Sequence, residues 1–238
     1  MQHSDPLPGG VSLSHVSAYE WEAADGVCGG SPHLHLACTE AYVVTGGTGA
    51  VQTLNLVDGY AETALAPGSV VWFSPGTVHR MIQRAGLRVT VLMQNSGLPE
   101  AGDAVFTFPP QILADPDAYA AAVELPDGPE AEVAAHRRRD LAVEGYLRLR
   151  TALLNGDHEP LRAFHAAAVR LVAPRIAAWE SRWRAGALAA AEHTGEQLAA
   201  LAAGDAGHLA RGRTHVAEPS RLAGYGMCGR RDAYEAPG

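Results

Sequence analysis

Four side chains in the first third of the chain are of the types that bind divalent transition metals: His33, His35, Glu40 and His79. In Gly30-Ser-Pro-His33-Leu-His35-Leu-Ala-Cys-Thr-Glu40 the two imidazoles stand two residues apart. On a strand, alternate side chains share a face, so both imidazoles point inward while Leu34 and Leu36 point outward. Glu40 follows a short turn and opens the next strand, where Tyr42 and Val44 share its parity. A second stretch, Gly68-Ser-Val-Val-Trp-Phe-Ser-Pro75-Gly76-Thr-Val-His79, reads as a strand, a Pro-Gly turn and another inward histidine. Three neutral imidazoles with one carboxylate suit Fe, Mn, Ni, Co, Cu or Zn and suit Ca or Mg poorly. On an octahedral ion such a set leaves two positions open, and a divalent ion with one carboxylate carries a net positive charge. The site therefore favours an anionic or enolisable oxygen donor that chelates through both. Parity supplies two neighbours as candidate catalytic residues, Tyr42 beside Glu40 and Gln83, with Met81, beside His79. Either polar group serves equally well as a buried side chain satisfied by backbone.

The elements that must position these residues divide near residue 110. From 11 to about 109, short runs rich in Val, Thr, Leu and aromatics alternate with turn signals: Gly46-Gly47-Thr48-Gly49, Asp58-Gly59, Pro67-Gly68, Pro75-Gly76 and Ala85-Gly86. That spacing predicts an antiparallel sandwich or barrel, with the Gly46–Gly49 turn ending the strand that carries Glu40. From about 129 the period is helical. Val143, Tyr146, Leu147, Leu153 and Leu154 form one stripe, with a stop at Asn155-Gly156. Asp157 caps a second helix through Trp183, kinked at Pro174. A third, Ala-rich helix runs from about Ala187 to Ala203 and stops at Gly204. Residues after about 211 lack periodicity and are expected to be loosely ordered. Trp179, Trp183 and His165 are expected in core packing or a subunit interface.

These residues resemble the cupin superfamily. Its first motif, G-x5-H-x-H-x3-4-E-x6-G, is met by His33, His35, Glu40 and Gly47, and its second, G-x5-P-x-G-x2-H-x3-N, by Gly68, Gly76 and His79. Val27 stands where the first glycine is expected, Ser74 replaces the first proline and Gln83 the asparagine, and none of the three is a ligand. The resemblance spans roughly residues 25–95. It implies a cupin-type double-stranded β-helix, or jelly-roll barrel, over 1–109 carrying the metal site; with the helical half, which lies outside the resemblance, the fold is mainly β with an α-helical C-terminal region. A helical extension of about three helices over 110–238 follows, as a lid over the barrel mouth or as a dimer interface. It further implies one divalent transition metal (Fe, Mn, Ni, Zn, Co or Cu).

Composition narrows the function. A net charge of -8 argues against nucleic acid, whose affinity comes from Lys and Arg on phosphates. The one basic cluster, Arg137-Arg138-Arg139, reads as a solvated helix face. No apolar run approaches the ~20 residues that span a bilayer. The N-terminal stretch lacks the basic and apolar regions of a signal peptide, so a cytoplasmic protein is expected. There Cys28, Cys38 and Cys228 are free thiols. The expected activity is that of a metal-dependent enzyme on a small polar or anionic metabolite that chelates the metal, first an O2-dependent dioxygenase holding Fe(II). The alternatives are a metal-dependent isomerase, epimerase or lyase of a sugar or hydroxy acid, and a non-catalytic metal-dependent binding protein. An isomerase needs a general base; no second carboxylate is read at an inward position, which slightly favours the dioxygenase, and Glu62 and Asp58 stay open. The partners expected are a small-molecule substrate and a second copy in a homodimer. The connector from Asn95 to Asp103 is a plausible loop at the barrel mouth, and equally a plain linker.

Overall fold

The computed structural model describes residues 7–219 and 221–234. Two strands of 16 residues organise it: β3 (Glu40–Asn55) and β6 (Val78–Met93), paired antiparallel from Glu40↔Met93 to Leu54↔Val78. Around them lie β1 (Ser12–Ala18), β2 (His33–His35), β4 (Gly59–Leu65), β5 (Val70–Phe73), β7 (Ala104–Phe106), β8 (Arg221–Tyr225) and β9 (Gly229–Tyr234). All nine belong to one sheet, in the order β4-β3-β6-β1-β9-β8, with β5 on β3 and β2 joining β6 to β7.

The sheet curls because both long strands bend at the same level. Register shifts fall between Val44 and Gly49 of β3, facing Ala85-Gly86 of β6. Gly47 (φ +70°) makes this possible, since a Cβ there would lie 2.1 Å from the Gly86 carbonyl oxygen. The two glycine clusters expected as turns are therefore bulges inside continuous strands. Pairing resumes at once on both edges, to β4 and to β6, so the chain has no reason to reverse there. At the Glu40 end of β3, burial alternates, with Glu40, Tyr42 and Val44 inward. From Gly49 to Gln52 every residue is buried.

The loss of alternation marks where the helices cover the barrel's outer face. They are α1 (Pro110–Leu113), α2 (Pro116–Val123), α3 (Ala131–Leu154), α4 (Glu159–Val172), α5 (Ile176–Trp183) and α6 (Ala189–Ala202). Tyr146 of α3 is fully buried and donates to Gln52 Oε1 at 3.0 Å, with the Arg80 guanidinium 5.9 Å from its ring centroid. One apolar cluster runs without a break from Val16, Tyr42 and Met81 through Phe106 to Tyr146, Leu161 and Trp179. Burial of that kind is worth about 25 cal/mol per Å² of apolar surface.

α3 ends at Leu154 ahead of Asn155-Gly156, and a tighter turn over Ala173–Arg175 separates α4 from α5 at Pro174, both as the sequence predicts. α1 and α2 are additions. The Asp115-Pro116 pair that starts α2 is a readable cap, with Asp115 Oδ1 accepting from the Asp117 and Ala118 amides.

Two further expectations are overturned. Residues 221–234 are a β-hairpin, β8–β9, whose second strand pairs with β1 along Leu13–Ala18. Regular backbone bonding to an existing edge orders a segment that has no hydrophobic alternation of its own. Arg138 and Arg139 are not a solvated face: they are 8% and 0% exposed. Arg139 donates to the carbonyls of Trp21 and Glu22, and Arg138 to that of Gly226, so both guanidiniums satisfy backbone acceptors that no strand reaches. No described helix is long and apolar enough to cross a membrane.

Candidate metal centre

The four residues read from the sequence converge inside the barrel at its β2 end. β2 and β6 align His33 directly opposite His79, while the turn after β2 brings Glu40 back beneath them. All four side chains are buried, and one ligand atom from each lies within 4.8 Å of every other. Glu40 Oε2 is 2.8 Å from His79 Nε2 and 3.1 Å from His35 Nε2, and His79 Nε2 is 3.1 Å from His33 Nε2. Adjacent donors at right angles on bonds of about 2.1 Å are about 3.0 Å apart, so these separations are those of a ligand shell. Among the described residues, Glu40 Oε2 is buried without a hydrogen-bond donor aligned to it. The donor set, the spacing and this orphaned oxygen all fit a transition-metal ion.

Each imidazole turns Nε2 inward because its Nδ1 is engaged behind: His33 by the Ser31 carbonyl at 2.8 Å, His79 by the Thr77 carbonyl at 3.2 Å, His35 by Asp103 Oδ2 at 3.1 Å. Such partners fix tautomer and ring orientation before an ion arrives. Asp103, fully buried, does more. It accepts from the Leu36, Ala37 and Cys38 amides as well, and so braces the turn between His35 and Glu40. Sequence reasoning missed it, because its role exists only once the 95–103 loop folds back over a turn 65 to 68 residues upstream.

The electrostatics follow from burial and pairing. Burial holds the His33 pKa well below its usual 6.5, with the neighbouring histidines adding to the effect, so it stays neutral and able to bind metal. Burial opposes the charge on His35 too, but the Asp103 and Glu40 carboxylates outweigh it and lift its pKa to about 9. Burial likewise works against the Glu40 carboxylate, yet His79 and His35 hold it well below the usual carboxylate range. An ion arriving at neutral pH therefore displaces the His35 proton. We expect about one proton released per ion at pH 7, and affinity that climbs about tenfold per pH unit until near pH 9. Calorimetry of metal binding in buffers of different ionisation enthalpy checks this, and heats independent of the buffer would contradict it.

A cavity of about 70 Å³ opens beside the group, lined by His33, His35 and Glu40 on one wall. Pro99 and Glu100 of the 95–103 loop line it, which places that loop at the mouth. The opposite wall comes from β1 and the β8–β9 hairpin. No residue of α1 to α6 lines it, so among the described residues the helices form no lid over this cavity. They act from behind: His165 Nε2 donates to the Gly76 carbonyl at 3.0 Å, and Trp179 Nε1 to that of Ala101 at 3.2 Å, bracing the segments before His79 and Asp103.

The candidate neighbours divide. Tyr42 is fully buried with its ring 6.2 Å from that of His79, its hydroxyl 3.3 Å from Cys228 Sγ, and it does not line the cavity. Burial raises the Tyr42 pKa well above 10 and the Cys228 pKa to about 12, so both stay protonated. Gln83 is not brought to the site. It has the parity of His79 but lies four residues along β6, about 13 Å at strand rise, and donates to Glu20 Oε1 at 3.4 Å. Glu62, on β4, is engaged by Gln52 and Arg84, Asp58 by Asn55 in the β3–β4 turn, and neither lines the cavity, so neither is placed as a base there. Cys38 is a buried thiol beside Asp103 and outside the ligand group.

No family model matches the chain, and no curated protein does. Solved structures similar to it include the capsular polysaccharide assembling protein CapF from Staphylococcus aureus, at 18% identity over 43% of this chain and 29% of that one, TM-score 0.32. The CENP-C cupin domain of Drosophila melanogaster is 13% identical over 35% of this chain and 58% of that one, TM-score 0.27. An 11S globulin from Wrightia tinctoria is 14% identical over 35% and 20%, TM-score 0.31. The chain thus spans less than two thirds of each of these. The resemblance to the cupin superfamily stands on the chain's own features: both histidine motifs lie on an antiparallel jelly-roll barrel, with their ligand atoms converging inside it.

Proposed function

We propose that the protein is a metal-dependent enzyme acting on a small polar or anionic metabolite that chelates the ion, and that its reaction is an O2-dependent dioxygenation. The convergence of three Nε2 atoms and one carboxylate oxygen within 4.8 Å carries the reading. His33, His35, Glu40 and His79 would hold Fe(II), which supplies the electrons that let O2 react with a chelated substrate. The chain's part is to fix the rings through Ser31, Thr77 and Asp103 and to exclude water. Val16, Val91 and Met93 give the cavity an apolar lining.

A Lewis-acid isomerase or lyase would need a general base beside the substrate. The lining carboxylates are Glu40, a ligand, and Glu100, which accepts from the Gly97 amide at 3.0 Å. That arrangement favours oxidation over proton abstraction. The test is anaerobic purification, Fe(II) restoration and measurement of substrate-dependent O2 uptake across β-diketones, thiols, catechols and hydroxy acids. Uptake with one class supports the reading. Metal bound without uptake on any class would overturn the dioxygenase and leave the isomerase or lyase and the binding protein.

A further inference from the structure

The helices that cover the barrel's outer face at Gly49–Gln52 leave it bare at the Glu40 end of β3, where burial alternates. There the register of five neighbouring strands, β5-β3-β6-β1-β9, sets the outward side chains in two cross-strand rows. The first is Trp72, Ala41, Leu92, Leu13 and Tyr234, and the second is Val70, Val43, Thr90, His15 and Asp232. Seven of these ten are apolar or aromatic, and none of the ten is buried. Trp72 is 69% exposed and Val70 57%. Among the described residues, none of the seven belongs to the apolar cluster of the interior or packs against it.

The face is ordered by its own contacts. His15 stands edge-on to Tyr234 with ring centroids 5.4 Å apart, and its Nδ1 is 3.0 Å from Thr90 Oγ1. Single exposed apolar side chains are ordinary, but a contiguous set across five strands marks a surface that another molecule covers.

Shape, charge and size say which molecule. A broad, twisted sheet face is matched by a second sheet of the same twist packed about 10 Å away, and another copy of the chain supplies one. The chain's net charge of -8 would hold two copies apart at an acidic face. The two rows instead hold one carboxylate, Asp232, with His15 as its cross-strand partner. Ser17, Arg88 and Arg230 form a polar margin beyond the second row, and Gln94 beyond the first. Five strands at about 4.8 Å and four rows along them give a face of about 24 by 25 Å, about 600 Å² in plan. Side-chain relief raises that toward the ~800 Å² that each partner of a standard interface buries. A two-fold axis along β6 would bring Leu92 against its own copy and Trp72 against the partner's Tyr234, so the first row is complementary to itself.

We infer that this face is a homodimer interface, in which two copies pack sheet to sheet through Trp72, Leu92 and Tyr234. The helical extension then lies outside the contact, and the pairing does not depend on the metal centre.

Sedimentation velocity of the full chain, at concentrations up to about 100 µM, tests this. The wild type should run as a dimer of about 50 kDa, twice the 25.0 kDa of one chain. Trp72→Asp and Leu92→Arg each place a charge in both halves of the interface, and each should weaken the dimer at least about a hundredfold. Trp72 is exposed in the single chain, so Trp72→Asp should keep its far-ultraviolet circular dichroism, and it decides the question if Leu92→Arg fails to fold. Leu198→Asp, on α6 at a position 62% exposed, should leave the dimer at full strength. A wild type that stays monomeric at about 100 µM would overturn the second copy as the occupant. A dimer that survives Trp72→Asp, or one that Leu198→Asp dissociates, would overturn the sheet face as the interface.

Discussion

His79→Ala should lose its metal. His79 Nε2 touches both Glu40 Oε2 and His33 Nε2, so removing it strips a donor from the centre of the group and leaves a void filled by water. Losing a partner behind a ligand costs 10–100-fold in affinity, and losing a ligand costs more, so we expect at least about a hundredfold weaker binding and almost no metal after purification. The fold should persist, because β6 keeps its backbone pairing to β3 and β2. Elemental analysis with far-ultraviolet circular dichroism measures both, and wild-type metal content would show the ligand assignment to be wrong.

Asp103→Asn should damage both stability and metal binding, although it changes one heavy atom. The carboxylate faces only donors: the Leu36 and Ala37 amides on Oδ1, the Cys38 amide and His35 Nδ1 on Oδ2. An asparagine must turn its own NH2 toward one of those pairs, leaving buried donors facing a donor. Breaking a buried charged network costs about 3–5 kcal/mol, and loosening His35 costs about 10–100-fold in metal affinity. Asp103 and Glu40 also set an acid limit. Burial opposes both carboxylates, but their histidine partners, and backbone amides at Asp103, depress both pKa values. Their contribution is present above the unfolded carboxylate range near pH 4 and is lost as pH falls through the lower folded values. Asp103→Asn should therefore show a lower urea midpoint and a weaker loss of stability on acidification. A midpoint equal to wild type would refute the bracing role.

What was legible in the sequence is what depends on short spacing. His33 and His35 share a strand face at any register, and Pro75-Gly76 before His79 marks its own turn, so the ligand group follows from period-2 parity. Parity does not give depth, which is why Gln83 shares the face of His79 and yet lies four residues along β6 from it. The bulges were illegible as such because Gly46–Gly49 has the composition of a turn, and only the pairing on both edges shows the strand continuing. Asp103 and the β8–β9 hairpin carry no local pattern. Their order comes from partners far away in sequence, Asp103 in the His35–Glu40 turn and β9 on β1. Arg138 and Arg139 were misread for the same reason, since the carbonyls that bury them lie in the 21–22 and 226 loops.

The central claim is that one ion binds where His33, His35, Glu40 and His79 meet. X-ray absorption of the Co(II)-loaded protein, with metal content measured on the same sample, tests it most directly. One ion per chain, with three imidazole nitrogens and a carboxylate oxygen at about 2.0–2.2 Å, is the predicted result. An empty protein, or a shell with sulfur from Cys38 or Cys228 in place of the imidazoles, would contradict it.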